Sequence, residues 1–242
     1  ILLFASPKMG GVLDNTAKVL GTVMLVLIGY VAFSTNPPVA EAATHAIVPT
    51  NYPWLATITL IGGTVGGYIT FSGGHRLIDA GITGREHLKD VRRAAFMGMS
   101  VDAIVRILLF LAVLGVVSMG FALDPKDPAG SAFLLGAGEI GHKLFGIVFF
   151  CAALTSVVGA AYTSVSFLKT LFKVVERYEK LTIMAFIFVS TCILIFIGKP
   201  ATLLIVAGSV NGLILPVTLA VMLLATRKTN IVGDYKHNPI LF

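Results

Sequence analysis

Residues 60–75 read Leu-Ile-Gly-Gly-Thr-Val-Gly-Gly-Tyr-Ile-Thr-Phe-Ser-Gly-Gly-His, with six glycines among 13 consecutive residues. Each glycine weakens a helix interior by about 1 kcal/mol relative to alanine, so residues 62–67 predict an unwound break within an apolar segment. Backbone without helical partners is tolerated at membrane depth only where it is buried in protein or lines a polar cavity. Broken helices of this kind form the binding sites of many secondary transporters.

Close helix packing is the alternative explanation of these glycines. Gly62 and Gly66 share the small-xxx-small spacing found at membrane helix interfaces, as do Gly63 and Gly67. The two Gly-Gly pairs favour the break, because close packing needs small residues on one helix face rather than at adjacent positions.

The composition of the whole chain places this segment in a membrane protein. Of the 242 residues, 56% are hydrophobic and 12% are charged, and the mean hydropathy is +0.91. Soluble domains carry about 25% charged residues, so an ordinary soluble enzyme is excluded. We predict an all-α polytopic membrane protein, with the lipid bilayer as its surroundings and no nucleic-acid partner despite the net charge of +6.

A bilayer core of about 30 Å needs about 20 apolar residues per helix, which leaves no room for a soluble domain. The hydropathy pattern predicts six spans, at residues 17–34, 54–82, 95–122, 142–168, 181–198 and 201–225. The second span is the discontinuous one. A tight turn at Gly198-Lys199-Pro200 makes the last two spans antiparallel neighbours.

Loop charge predicts the orientation of these spans. When loops are assigned alternately to the two sides, 14 of the 18 Lys and Arg residues fall on one side. The positive-inside rule places that side, including both chain ends, in the cytoplasm. We interpret each basic loop as a solvated anchor of topology, with a specific lipid or partner site as the alternative. Residues 84–93 could form a short interfacial helix.

Few side chains within the spans can carry chemistry. Asp102 and Arg106 are four residues apart in the third span, where an unpaired charge costs several kcal/mol, so we predict an ion pair with a structural or gating role. A proton relay is the alternative. No helix carries a His-Glu-x-x-His pair or a nucleophile with a plausible base, so we expect no enzyme.

The segment Gly62-Gly63-Thr64-Val65-Gly66-Gly67-Tyr68 resembles the sixth-helix motif of the Nramp family of divalent-metal transporters, approximately Gly-Ala-x-x-Met-Pro-His. Further segments resemble the family's helices seven to ten, in order along the chain: residues 154–160, 213–216, 226–228 and 231–235. The resemblance covers essentially the whole chain. It implies a LeuT-like inverted-repeat transporter fold, with this chain supplying helices five to ten.

The resemblance also implies a metal site. When the two motifs are aligned, the family residue whose backbone carbonyl binds the metal corresponds to Gly63. The family's methionine ligand corresponds to Gly66, and its histidine corresponds to Tyr68. Thr64 lies between these positions. A family glutamine of the tenth helix matches Gly208, and nearby Asn211 could direct an amide oxygen towards the cavity. A helix–helix hydrogen bond is the alternative for Asn211.

These departures bear on the transported ion. Thioether sulfur favours softer transition metals, whereas oxygen ligands and water suit hard ions. The loss of the methionine at Gly66 therefore implies the Nramp-related branch that carries Mg²⁺, with Mn²⁺ as a possible second substrate. The metal is a substrate, and no cofactor is expected. The resemblance also implies symport with protons, and the replacement of the family's histidine by Tyr68 weakens that expectation.

Half of the expected site is not found in the sequence. No Asp-Pro-Gly-Asn segment of the family's first helix occurs. We therefore expect residues 1–34 to form a cytoplasmic lead-in and first span, residues 54–225 the second five-helix repeat with its break at 62–68, and residues 226–242 a cytoplasmic tail. The first repeat, the expected partner of this half, would belong to a longer protein.

Two other functions fit the sequence. The same scaffold could carry an organic substrate such as an amino acid, because broken helices serve both substrate classes. A membrane sensor or scaffold would bind a metal or a partner without transporting it.

Overall fold

The computed structural model describes residues 9–66, 69–198 and 200–233, and within them all side chains except those of residues 9–17, 69–71, 76, 79 and 155. This part of the chain is helical throughout, with turns and short connections. In chain order the helices are α1 (Met9–Ser34), α2 (Val39–Ile47), α3 (Trp54–Val65), α4 (Ile69–Asp79), α5 (Leu88–Ser118), α6 (Pro128–Leu171), α7 (Lys173–Arg177), α8 (Glu179–Ile197), α9 (Pro200–Thr226) and α10 (Thr229–Val232).

Four of the described helices are long and apolar enough to cross a bilayer, namely α5, α6, α8 and α9. At most 22% of the most apolar window of each is buried within the protein, and large side chains such as Phe196 and Phe33 are 87% and 80% exposed. Such surfaces require a lipid environment. The chain is a multi-pass membrane protein.

The six predicted spans need correction at two places. Residues Lys18–Ser34 of α1 are apolar and long enough to cross a bilayer only when α2 is added to them, and the two helices meet at an angle of 102°. If this bent pair is counted as one span, the described residues contain five spans. The predicted span 54–82 consists of α3 and α4, each too short to cross alone at about 1.5 Å per residue. Hydropathy windows average over such bends and breaks, which explains the difference.

Helix α6 is longer than the predicted span 142–168 because two helices meet within it. Gly138 has φ 68° and ψ −169°, a backbone conformation that is essentially restricted to glycine. Lys143 Nζ lies 3.5 Å from Glu139 Oε2 just beyond this bend, and both side chains are highly exposed.

The described residues form two compact units. The first contains the chain up to Thr50 and Thr83–Ala160. Its core packs α1, α5 and α6 through Ile28, Val31, Val116 and Phe133, which are almost completely buried, and the Phe133 and Phe145 rings stack at 4.4 Å. Gly115 allows α5 to contact Thr35 at the end of α1, where a Cβ would overlap the threonine hydroxyl.

The second unit contains Asn51–Ile82 and the chain from Ala161 onwards. Helix α3 and helix α9 make the most extensive helix contact in the described chain. Because α3 leads directly into the predicted break, this contact fixes the position of the candidate site.

Candidate functional site

Helix α3 ends at a glycine whose conformation stops it. Its last hydrogen bond runs from the Gly66 N–H to the Gly62 carbonyl at 3.0 Å, and Gly66 has φ 66° and ψ 97°. Side chains disfavour positive φ, so glycine is the residue suited to this position. The next helix, α4, begins at Ile69. Two short helices, α3 and α4, therefore lie in the described chain where the hydropathy pattern predicts one span.

The break is shorter than the sequence predicts. Residues 62–65 are helical, so the predicted unwinding at 62–68 is wrong for these four residues, and among the described residues it applies to Gly66, which ends the helix. Tyr68, predicted to take the place of the family's histidine, lies outside the described residues, as does Gly67.

Gly62 stays helical because it packs directly against α9. A Cβ on Gly62 would overlap the Gly208 carbonyl oxygen and the Gly212 nitrogen. From the other side, a Cβ on Gly212 would overlap the Ile58 carbonyl oxygen, and one on Gly208 would lie 2.8 Å from the Thr59 carbonyl oxygen. The two backbones are in contact, and the packing energy offsets the low helix propensity of glycine.

The break and the packing hypotheses therefore apply to different glycines. Gly62 serves helix packing and Gly66 ends the helix, whereas Gly63 is exposed with open space around its Cα. The sequence analysis missed the partner on α9, although Gly208 and Gly212 have the same small-xxx-small spacing. Gly208 is thus needed for packing, because a glutamine side chain would not fit beside Thr59.

Two hydroxyls reinforce the same interface. Thr59 Oγ1 lies 2.7 Å from Ser209 Oγ. The same oxygens lie 2.7 Å from the Leu55 carbonyl and 2.8 Å from the Ile205 carbonyl, respectively. Two hydroxyl protons cannot serve three contacts at once, so one hydroxyl donates across the interface at the expense of a bond within its own helix.

The carboxyl end of α3 presents oxygen atoms to the break. The carbonyls of Gly63, Thr64 and Val65 have no residue further along α3 that could donate to them, because the helix ends at Val65. The helix dipole adds partial negative charge at this end. Thr64 Oγ1 donates to the Leu60 carbonyl, which leaves its lone pairs as acceptors. This end of α3 is suited to a cation.

The other predicted ligand, Asn211, lies on α9 one residue before Gly212 and is half-buried. No hydrogen bond joins its amide to Gly63, Thr64 or Gly66 in the part of the chain that the structure describes. Among the described side chains, no three His, Cys, Asp or Glu residues cluster as metal ligands. The described end of α3 itself offers backbone carbonyl oxygens and the Thr64 hydroxyl oxygen to a cation.

Helix α4 contributes a polar residue that the sequence analysis did not select. Ser72 is completely buried, and its hydroxyl has no hydrogen-bond partner among the described residues. An unsatisfied buried hydroxyl costs about 1–3 kcal/mol. The sequence shows only a serine beside the glycine-rich segment, which could have suggested a functional residue. Its burial cannot be predicted from the sequence, because it depends on tertiary packing.

The side chains of Asp102 and Arg106, the predicted ion pair, are in direct contact. Arg106 Nε donates to Asp102 Oδ2 at 2.7 Å, with the two side chains 42% and 52% exposed. A second pair joins two elements of the second unit, where Lys169 Nζ on α6 lies 3.1 Å from Glu179 Oε1 at the start of α8. The two side chains of this pair are much less exposed, at 19% and 33%. The short helix α7 lies between the two residues along the chain.

Comparison with known proteins gives the family. Residues 1–242 match the family described as "Natural resistance-associated macrophage protein-like" (Nramp). The chain is 50% identical over 237 residues to "Uncharacterized membrane protein YcsG" of Bacillus subtilis (strain 168), covering 98% of this chain and 59% of that protein. It is also 50% identical to an "Uncharacterized membrane protein" of Haemophilus influenzae, covering 60% of it.

The chain thus spans about 60% of the length of these curated relatives. No solved structure matches it. The family match covers every residue of the chain and agrees with the multi-pass architecture. The chain is therefore a membrane protein of the Nramp family, a family of non-enzymatic metal-ion transporters.

Proposed function

We propose that this chain forms the second half of a transporter that imports divalent metal ions across the cytoplasmic membrane, with Mg²⁺ as the favoured ion and Mn²⁺ as a second substrate. The observation that carries the proposal is the end of α3 at Gly66, where helix-terminal carbonyls stand beside a helix break in a member of the Nramp family. Broken helices place such ion sites near the bilayer midplane.

The site in this proposal comprises the carbonyl oxygens of Gly63 and Thr64, the backbone of Gly66 and the Asn211 amide, together with Tyr68, which the family resemblance adds and which lies outside the described residues. All of these donors are oxygen atoms. Mg²⁺ prefers oxygen ligands and retains several of its waters, so a site widened by Gly66 suits a partly hydrated Mg²⁺ ion. Mn²⁺ also accepts oxygen ligands.

The proposal includes the organisation of the chain. Residues 54–225 form a five-helix repeat of the LeuT-like fold, both ends of the chain face the cytoplasm, and an N-terminal repeat supplies the remaining ligands. Alternating access moves one repeat relative to the other. The pair Asp102 and Arg106 acts as a structural or gating element in α5.

Ion flux tests this proposal. The full-length reading frame containing this chain should take up Mg²⁺ and Mn²⁺ in liposomes, in a saturable manner that amino acids do not inhibit. Residues 1–242 alone should show no uptake above empty liposomes, because half of the ligands would be missing. Competition by amino acids without any effect of divalent ions would identify an organic substrate, and metal binding without flux would identify a sensor.

A further inference from the structure

A concave basic surface lies at the start of α5, outside the candidate ion site. It is an open depression of about 480 Å³, bordered by side chains of α5 alone: Lys89, Asp90, Arg92, Arg93 and Phe96. Three cations and one carboxylate give this surface a net charge of +2. The function proposed above does not use it.

The three cations have no carboxylate partner within the described residues. In contrast, Arg106, Lys143 and Lys169 each lie within 4.0 Å of an acidic side chain. Asp90 also borders the depression but forms no ion pair in the described chain. Within the described part of the chain, the positive charge of this basic surface is thus not neutralised by an ion pair.

Helical geometry arranges these residues along one stripe. Arg92, Arg93 and Phe96 lie three, four and seven residues after Lys89, so the four side chains share one face of α5. Helix α5 begins at Leu88, earlier than the predicted span start at residue 95. The basic residues are therefore fixed to the same rigid helix that enters the bilayer.

The rise of the helix places the stripe at the membrane boundary. At about 1.5 Å per residue, the cations lie roughly 4–10 Å from Phe96 along the axis. The headgroup layer beside each face of the hydrocarbon core is about 5–8 Å thick. Phe96 and Met97 are 68% and 58% exposed at the start of the apolar part of α5. The cations thus lie at headgroup level, and an acyl chain can follow the apolar side chains.

We propose that this surface binds the phosphate headgroup of an anionic phospholipid, with Lys89, Arg92 and Arg93 contacting the phosphate and Phe96 contacting the acyl chain. Guanidinium groups form strong, bidentate hydrogen bonds with phosphate. A lipid fits better than free phosphate because the basic surface continues into apolar residues. The inference does not depend on the identity of the transported ion.

Lipid binding to the purified full-length protein in detergent tests the proposal. Native mass spectrometry with dioctanoyl phosphatidylglycerol should show binding at least tenfold tighter than with dioctanoyl phosphatidylcholine. A basic residue near a membrane surface contributes about fivefold to the affinity for anionic lipid. The triple variant K89Q/R92Q/R93Q should therefore bind phosphatidylglycerol about 100-fold more weakly, and K89R/R92K/R93K should retain binding within about fivefold.

The matched control is K173Q/R177Q/K180Q, which removes three exposed cations from another predicted cytoplasmic loop. It should change binding by less than about twofold. Equal losses in both triple variants, or unchanged binding in K89Q/R92Q/R93Q, would overturn the proposal. Inorganic phosphate that competes at the same concentration as the lipid would also overturn it, since an anion site without lipid preference would explain that result. If the glutamine triple variant does not fold, R92Q and R93Q should each lose about fivefold.

Discussion

At the scale of single residues, the glycines of α3 have three different roles. Gly62 contacts the α9 backbone, Gly63 is exposed with open space around it, and Gly66 ends the helix at positive φ. The sequence identifies this segment as unusual but cannot separate these roles, because the contact of Gly62 depends on Gly208 and Gly212, far along the chain. Local propensity predicts unwinding at each glycine equally, whereas tertiary packing keeps Gly62 helical.

We expect Gly62→Ala to destabilise the protein by about 1–3 kcal/mol, because the added methyl group overlaps backbone atoms that cannot move independently. Gly63→Ala is the matched control and should be neutral or stabilising by up to about 1 kcal/mol, since alanine favours the helix. The free energy of unfolding from SDS titration in bicelles measures both. Equal destabilisation by the two substitutions would contradict the packing contact.

The hydroxyl contact across α3 and α9 should be measurable as a coupling energy. Thr59→Val and Ser209→Ala, singly and combined, should give a coupling of about 0.6–1.7 kcal/mol, the range for hydrogen bonds between membrane helices. Thr57→Val combined with Ser209→Ala is the control, because among the described residues the Thr57 hydroxyl donates to the Pro53 carbonyl at the start of its own helix and not to α9. Additive effects in the Thr59 cycle would show that the cross-helix bond contributes nothing.

At the scale of helices, apolar length predicts the long elements well. The spans predicted at 181–198 and 201–225 correspond to α8 and α9 within one or two residues, because Gly198 in a left-handed conformation and Pro200 define their shared turn. Helix α2 was not predicted. Its short sequence has too few apolar residues to form a span, and it follows the turn at Asn36, where φ is 45°.

The Lys169–Glu179 pair should stabilise the connection between α6 and α8. We expect Glu179→Gln to accelerate amide hydrogen exchange in α7 about fivefold, corresponding to about 1 kcal/mol for a single ion pair. Glu139→Gln removes the highly exposed pair with Lys143 and should leave exchange in α6 unchanged. If exchange in α7 does not respond to Glu179→Gln, the ion pair does not restrain this connection.

At the scale of the whole molecule, composition and loop charge are sufficient to predict a polytopic membrane protein, and the glycine-rich segment is sufficient to indicate a broken helix. The family match covers the full chain. The ligand set is less predictable from sequence, because backbone carbonyls leave no side-chain signature and the contribution of α9 depends on packing. Ser72 is a further example of a feature that depends on packing, since its hydroxyl is buried only in the folded unit.

The transport site is the central claim, and ion selectivity at Gly66 tests it most directly. In the full-length protein, Gly66→Met and Gly66→Leu introduce side chains of similar volume at the same strained position, where φ is 66°. They differ in the thioether sulfur, which favours Mn²⁺ over Mg²⁺. We expect the Mn²⁺/Mg²⁺ uptake ratio in liposomes to be about tenfold higher for the methionine variant than for the leucine variant, a difference of about 1.4 kcal/mol. Identical ratios in two folded, transport-competent variants would contradict a metal site at the end of α3.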